Sequence, residues 1–252
     1  MAVRISLTGT LLILLLAIPA RAGWSVSSSE TEKATAGAIE HRRIVFAEKT
    51  SGDEATLEIA SFSTKSAAVR VIDNPDGAEL AAVTRRVRGV AGVNGGYFDP
   101  ENAPVGLLIS DGESIAPFRK ARLLSGVLVI TKARVELVRS AEYSSRKNVI
   151  AALQCGPFLV DAGKPIAGLN ATRSARRTFV LTNGSDRVAI GLCSAVTLAE
   201  LGEILATPEL KVQRAMNLDG GSSSAFWFNG QRGVVSIPEQ KTVRNFLVIV
   251  PK

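Results

Sequence analysis

Hydrophobic positions along the chain come in short alternating or continuous runs, separated by clusters of Gly, Asn, Asp and Pro, and that spacing predicts strands rather than long helices. Runs at 44–48, 55–59 and 67–72 are followed by the breaker Asn74-Pro75-Asp76-Gly77. Leu80, Val83 and Val87 then recur at helical spacing, predicting a helix over 78–90 that leads into Ala91-Gly92-Val93. Next come a strand at 105–110, an Asp111-Gly112 turn, a hairpin of 126–131 with 134–138 around Lys132-Ala133, and one strand over 151–160. A second hairpin pairs 178–182 with 187–192. Thr197-Leu198-Ala199-Glu200 forms a capping box, and Leu198, Leu201 and Leu205 give its helix one apolar face that ends before Pro208. The remainder reads as strands at 215–218, 225–228, 233–237 and 246–250, with Asn229-Gly230 as a turn. The expected fold class is α+β: a single domain with a mixed or antiparallel sheet core flanked by a few helices.

The N-terminus departs from this pattern. Arg4, an apolar run from Leu11 to Ile18, Pro19 and Ala20-Arg21-Ala22 have the layout of a secretory signal peptide over residues 1–22. An uncleaved anchor is the alternative, although the run is far shorter than the ~20 residues a spanning helix needs. Residues 23–43, rich in Ser, Thr, Ala and Glu over their first half, read as a flexible leader, and 44–252 as the folded domain. The expectation is an exported protein, periplasmic or extracellular, with no stable membrane span after cleavage. In that setting the even pair Cys155 and Cys193 favours a disulfide over two buried thiols.

Composition narrows the chemistry. With 46% hydrophobic and 21% charged residues the chain is globular, and its net charge of +7 is scattered without the basic stripe of a nucleic-acid footprint, so no nucleic-acid partner is expected. A single histidine, His41, argues against Ser-His-Asp and Cys-His catalysis and against His-rich zinc sites. Neither a Walker A loop nor G-x-G-x-x-G follows a strand. Acid/base work falls to carboxylates, and charge stabilisation to Arg, Ser, Asn and backbone N–H groups; no cofactor or metal is expected.

Three strands end abruptly in glycines beside polar groups: Val93 before Asn94-Gly95-Gly96-Tyr97-Phe98-Asp99-Pro100, Leu153 before Gln154-Cys155-Gly156-Pro157, and Leu218 before Asp219-Gly220-Gly221-Ser222-Ser223-Ser224. Glycine lets backbone N–H groups approach a ligand, and each segment alone is equally ordinary turn chemistry. Asp219 is the foremost candidate for chemistry, with turn initiation as its other reading. Arg177 suits bidentate contact with a phosphate, yet nothing in composition separates it from Arg173 and Arg176. Asp99, Asp111 and Asp219 match no calcium-loop spacing.

Taken in order, Asn94-Gly95-Gly96-Tyr97-Phe98, Pro104-Val105-Gly106-Leu107, Asp111-Gly112-Glu113, Gln154-Cys155-Gly156-Pro157, Arg177-Thr178 and Asn217-Leu218-Asp219-Gly220-Gly221-Ser222-Ser223 resemble the phosphodiester glycosidase family, over roughly 44–250. Bacterial relatives carry the label of exopolysaccharide-biosynthesis proteins. The resemblance implies hydrolysis of a sugar 1-phosphodiester at the anomeric C–O bond, in phosphodiester-linked glycans or sugar phosphates. It implies Asp219, Arg177 and Asn94 as catalytic residues, and Gly95, Gly96, Tyr97, Gln154, Gly156, Thr178, Gly220, Gly221, Ser222 and Ser223 as substrate-binding. Glu113 is a second carboxylate candidate that also reads as an exposed hairpin residue. The glycine-serine run lacks the third glycine many relatives have, which bears on substrate more than on reaction class. The competing reading is a non-catalytic periplasmic or surface module that binds phosphorylated polysaccharide in exopolysaccharide biogenesis; a structural envelope protein is a third.

Overall fold

A computed structural model of the chain describes residues 23–145 and 147–252, so the signal-peptide expectation lies outside the described residues. The chain opens with β1 (Trp24–Lys33), β2 (Ile39–Glu48), β3 (Glu54–Ser63) and β4 (Ala67–Asp73), then α1 (Leu80–Arg86) and β5 (Ala91–Asn94). It continues with β6 (Leu108–Ser110), β7 (Glu113–Ala116), β8 (Gly126–Thr131), β9 (Val135–Arg139), β10 (Val149–Cys155), β11 (Phe158–Asp161) and β12 (Lys164–Pro165). The last part is β13 (Ala175–Thr182), β14 (Arg187–Val196), α2 (Leu198–Leu205), β15 (Arg214–Asn217), β16 (Phe226–Gly230), β17 (Gly233–Ile237) and β18 (Asn245–Pro251).

These strands form three sheets, ordered β1-β2-β3-β14-β13-β15-β11-β12, β7-β6-β10-β8-β9 and β17-β16-β5-β18-β4. The pairings β1–β2, β13–β14, β8–β10 and β5–β18 are all antiparallel. The fold is therefore predominantly β, with two helices of 7 and 8 residues among the described residues, which corrects the α+β expectation. The sheets bury one face each in a shared core: Phe62, Val180 and Met216 from the first, Leu128 and Leu153 from the second, and Val93, Phe226 and Leu247 from the third. Fully burying such a side chain contributes roughly 1.5–3 kcal/mol. α2 covers the outer face of the first sheet through Leu201, Ile204 and Leu205, and α1 covers the third through Leu80 and Val83. No helix among the described residues is long and apolar enough to cross a membrane.

Four expectations need correction. The segment read as a flexible leader contains β1 and the start of β2, an antiparallel pair in register from Trp24↔Glu48 to Lys33↔Glu40. Its polar composition is that of an edge strand, where Ser27, Ser28, Ser29, Glu30, Thr31 and Lys33 face solvent while Trp24 and the Glu32 side chain are buried. The helix is shorter than 78–90 because Arg88 takes a φ of 56° and a Cβ at Gly89 would lie 2.3 Å from Val248, so the chain turns out of the helix there. The expected strand over 151–160 is two strands in different sheets, broken at Gly156-Pro157 where proline has no N–H to give the ladder. Asn229 and Gly230 finish β16 instead of forming the turn, which falls at Gln231-Arg232.

Candidate active site

The three glycine breaks meet at one end of the fold, where β5, β10, β13 and β15 end or begin. Asn94, the last residue of β5, is fully buried. Its Oδ1 accepts from the Thr178 hydroxyl (2.6 Å) and from Ala225 N–H (3.0 Å), while its Nδ2 donates to the Asp219 carbonyl (2.7 Å). Both Asn94 and the buried Thr178 thus tie three segments together. Gly95 completes the tie: its carbonyl accepts from Asp219 N–H (3.0 Å), and its N–H donates to the Asn245 carbonyl (2.8 Å). A Cβ there would lie 2.0 Å from Asn245 Oδ1, the atom that accepts from Gly96 N–H at 2.7 Å. Residues 94–96 therefore hold Asp219 in place through its backbone.

Gln154 plays the same part on the other side. Its Oε1 accepts from Leu107 and Arg119 N–H (3.1 and 3.0 Å) and its Nε2 donates to the Arg119 carbonyl (2.7 Å), which pins the 117–124 loop to β10. At Gly156 a Cβ would lie 2.2 Å from the Leu123 carbonyl. The Gly156 carbonyl accepts from the Tyr97 hydroxyl (2.6 Å) and from Asn217 Nδ2 (3.1 Å). Burial, with Cys155 and Asp219 nearby, pushes the Tyr97 phenol well above its ordinary pKa, so it acts as a neutral donor.

At the centre stand groups with unspent capacity. Asp219 Oδ1 accepts from Gly220 N–H (2.9 Å), and the Ser223 hydroxyl faces the same carboxylate. Burial raises the Asp219 pKa above its ordinary value; the Ser223 hydroxyl, the Gly220 N–H and Lys241 pull against that rise without overcoming it. The Ser223 hydroxyl is itself fully buried and makes no hydrogen bond of ordinary geometry, and neither does Asn217 Oδ1. A buried polar atom without a partner costs ~1–3 kcal/mol, so Asn217 Oδ1 marks a place where the protein gives up stability, and the Ser223 hydroxyl, loosely placed against the Asp219 carboxylate, marks it more weakly. Gly221, at φ 65°, starts the single 3-10 turn of Gly221–Ser223 that presents Ser222 outward.

Arg177 lies alongside, 9% exposed. Its Nε donates to the Val196 carbonyl (3.0 Å) and one terminal nitrogen to the Arg173 carbonyl (2.5 Å). The other terminal nitrogen would be 3.9 Å from a Cβ at Gly220, and among the described residues no carboxylate pairs with this guanidinium. Burial lowers its pKa from the ordinary arginine value, and it stays a cation. A buried cation without a counter-ion, next to the Gly220-Gly221 turn, is a cradle for an anion.

The structure therefore brings Asp219, Arg177, Tyr97, Gly220, Gly221, Ser222 and Ser223 together, with Asn94, Gly95, Gly96, Gln154, Gly156 and Thr178 as their braces. It does not bring Glu113 there: that residue opens exposed β7, beyond the Asp111-Gly112 turn that docks on Ile150 at the far end of β10. Asp111 pairs with Arg70 (2.6 Å), and Asp99 caps a turn by accepting from Ala103 N–H (2.8 Å). Among the described residues no group of three or more His, Cys, Asp or Glu could hold a metal ion. The disulfide expectation is corrected: Cys155 and Cys193 are separate buried thiols, one facing the core shared by the sheets and the other the core under α2. Burial pushes each thiol up to about 12, so both are neutral and inert. Sequence reasoning placed Asn217 in a motif without giving it a role, and passed over Asn245 and Lys241. Asn245 had a signal, as the polar residue at the head of an apolar strand; Lys241, 4.7 Å from the Phe98 ring centroid, had none. A cleft of about 330 Å³ lined by Glu40, Arg42, Arg187 and Lys211 shares no residue with the cluster.

Residues 88–250 match the family model described as phosphodiester glycosidase. Comparison with curated proteins gave no match. Among solved structures, the chain is similar to the zebrafish N-acetylglucosamine-1-phosphodiester alpha-N-acetylglucosaminidase catalytic domain auto-inhibited by pro-peptide, at TM-score 0.65 and 19% identity over 89% of each chain. It is also similar to a hypothetical protein from Synechocystis (TM-score 0.60, 14% identity, 85% of this chain and 62% of that one). A putative exported protein from Burkholderia pseudomallei gives TM-score 0.59 and 12% identity over 79% of this chain and 75% of its own. At these identities the likenesses establish the fold.

Proposed function

Since the chain belongs to the phosphodiester glycosidase family, we propose that it is a hydrolase that cleaves sugar 1-phosphodiesters at the anomeric C–O bond, acting outside the cytoplasm on phosphodiester-linked glycans. The observation that carries this reading is the pairing of a half-buried carboxylate of raised pKa, Asp219, with a buried guanidinium that has no carboxylate of its own, Arg177.

A phosphodiester needs the two halves of that pair for different atoms. The phosphate leaves as an anion whose charge is already spread over its oxygens, so it needs little protonation and much electrostatic stabilisation. Arg177, the Ser222 and Ser223 hydroxyls and the Gly221 N–H supply that stabilisation, since the Gly220 N–H is held by Asp219 Oδ1. Asp219 takes a proton from the water that attacks the anomeric carbon. The C1–O bond breaks with its electron pair going to phosphate, a new C1–O bond forms to the water oxygen, and free sugar and phosphomonoester result. Tyr97, held by Gly156 and Asn217, fixes the wall between them.

The test is release of free sugar and phosphomonoester from a panel of sugar 1-phosphodiesters, comparing wild type with Asp219→Asn and Arg177→Ala. Turnover by wild type that both variants lose supports the reading. Binding of a phosphorylated polysaccharide without turnover would replace it with a non-catalytic module.

A further inference from the structure

The 117–124 loop carries Arg119, Lys120 and Arg122 beside the proposed catalytic groups, and nothing in the catalytic reading uses them. All three are exposed, and among the described residues none pairs with a carboxylate. Leu123, next in the chain, is 53% exposed, and Val105 on the adjoining loop is 40% exposed.

The loop is held rigidly where it is. The buried Gln154 amide grips Arg119 through both its N–H and its carbonyl, and also donates to the Leu124 carbonyl (3.3 Å). Phe118 stacks on Tyr143 with ring centroids 5.3 Å apart. Ala121 accepts from Leu124 N–H (3.1 Å), closing a tight turn around Arg122 and Leu123. The Leu123 carbonyl packs so close to Gly156 that only glycine fits there. Gly156 in turn is bonded by Tyr97 and Asn217, and Asp219 follows Asn217 by two residues just past the end of β15. The fold thus fixes three unpaired cations and two exposed apolar side chains on a loop packed against Gly156, the residue that Tyr97 and Asn217 of the site bond to.

The anchors fix where the loop's cations stand, and like charges held close together on the surface favour an anion that joins them. A small sugar phosphodiester offers one anionic group, which Arg177 and the glycine nest already take. We infer that the 117–124 loop is a second anion subsite, which binds a further phosphate of a polymeric phosphodiester glycan while its scissile diester lies at Asp219. The substrate class is then a chain with repeated phosphates, and Leu123 and Val105 offer apolar surface to the sugar faces between them. This inference rests on the hydrolase reading above for its substrate but not for its binding test.

The experiment compares wild type with Arg119→Ser/Lys120→Ser/Arg122→Ser and with the charge-conserving Arg119→Lys/Lys120→Arg/Arg122→Lys. The probes are phosphomannan, a mannan bearing mannosyl 1-phosphodiesters, the same mannan stripped of phosphate by mild acid and phosphatase, duplex DNA, and mannose 1-(methyl phosphate). The serine variant is expected to bind phosphomannan about tenfold more weakly, with a shallower salt dependence, and the charge-conserving variant to restore binding. Its kcat/KM on mannose 1-(methyl phosphate) should stay within about twofold of wild type, since that substrate carries no second phosphate. Unchanged phosphomannan binding by the serine variant, equal affinity of wild type for stripped mannan, or equal affinity for duplex DNA would each overturn the subsite. Should wild type hydrolyse neither phosphomannan nor the methyl diester, the hydrolase reading fails while the binding comparison still decides the loop.

Discussion

Two buried polar clusters sit against the same core, and they are built on opposite terms. Around His41 the account is closed. Its Nε2 meets Glu58 Oε2 at 2.6 Å and its Nδ1 meets Glu32 Oε1 at 3.4 Å, while Arg43 takes the second Glu58 oxygen (2.9 Å) and Arg232 the second Glu32 oxygen (3.6 Å). The imidazole ring packs on Phe226 and Phe228. Around Asp219, by contrast, one amide oxygen and one guanidinium nitrogen have no protein partner among the described residues, and the carboxylate meets the Ser223 hydroxyl only outside ordinary hydrogen-bond geometry. Burial makes unmatched polar groups costly, so a cluster that spends every group reads as structure, and one that withholds several reads as a site. The single histidine of the chain is therefore a structural tie between the β2–β3 pair and the β16–β17 hairpin.

The largest expected effect falls on the open cluster. Asp219→Asn keeps the shape and the Gly220 contact but removes the base, and turnover of a sugar 1-phosphodiester should fall roughly 10²- to 10⁴-fold with no loss of stability at neutral pH. Loss of stability in step with activity would make Asp219 another structural group. The closed cluster should answer the other way. Glu58→Ala leaves His41 and Arg43 without their acceptor inside the fold and is expected to cost about 3 kcal/mol, measured as a lower urea midpoint at unchanged slope. That figure sits at the low end for a buried pair because Arg43 is 55% exposed. Turnover per folded molecule should be unaffected. Next is Arg177→Met, which strands no carboxylate: kcat/KM should drop about 10²-fold while stability changes by less than about 1 kcal/mol. A large stability loss there would show that the Val196 and Arg173 carbonyls, not an anion, are what Arg177 serves.

The sequence made one of these clusters legible and hid the other. Asp219 and its glycine nest were visible because a run of apolar residues ends on a carboxylate and paired glycines, which is local information. Asn94, Thr178 and Gln154 were visible as members of the same motifs, but not their work: whether a buried amide faces a ligand or spans two loops depends on partners 84 and 131 residues away in the chain. The His41 cluster was illegible for the same reason, compounded by β1, whose Glu32 belongs to a strand too polar to read as one. Strand order was equally out of reach. The period-2 pattern says which residues are buried, and it does not say that the break at Gly156-Pro157 sends β10 and β11 into separate sheets.

The smallest effect is the most diagnostic, because one titration should move rate and stability in opposite directions. Asp219 is raised from its ordinary value of 3.8, chiefly by burial. A group raised in the folded state contributes stability that is full below the unfolded value and is lost as pH climbs through the folded one. Wild type should therefore lose stability relative to Asp219→Asn over a window that begins near pH 3.8 and closes above the folded pKa, whereas kcat/KM climbs through that same window as the base form appears. Glu142 serves as the internal contrast, since its hydrogen bonds to Arg214 lower its pKa from 4.5, so its contribution is present above that value and is lost as pH falls. Lys241 refines the test: its positive charge pulls the Asp219 pKa down, and Lys241→Ala should shift the acid limb of kcat/KM to higher pH and carry the stability window with it. A limb that moves without the window, or a window without the limb, would mean that the group whose ionisation controls the rate is not Asp219.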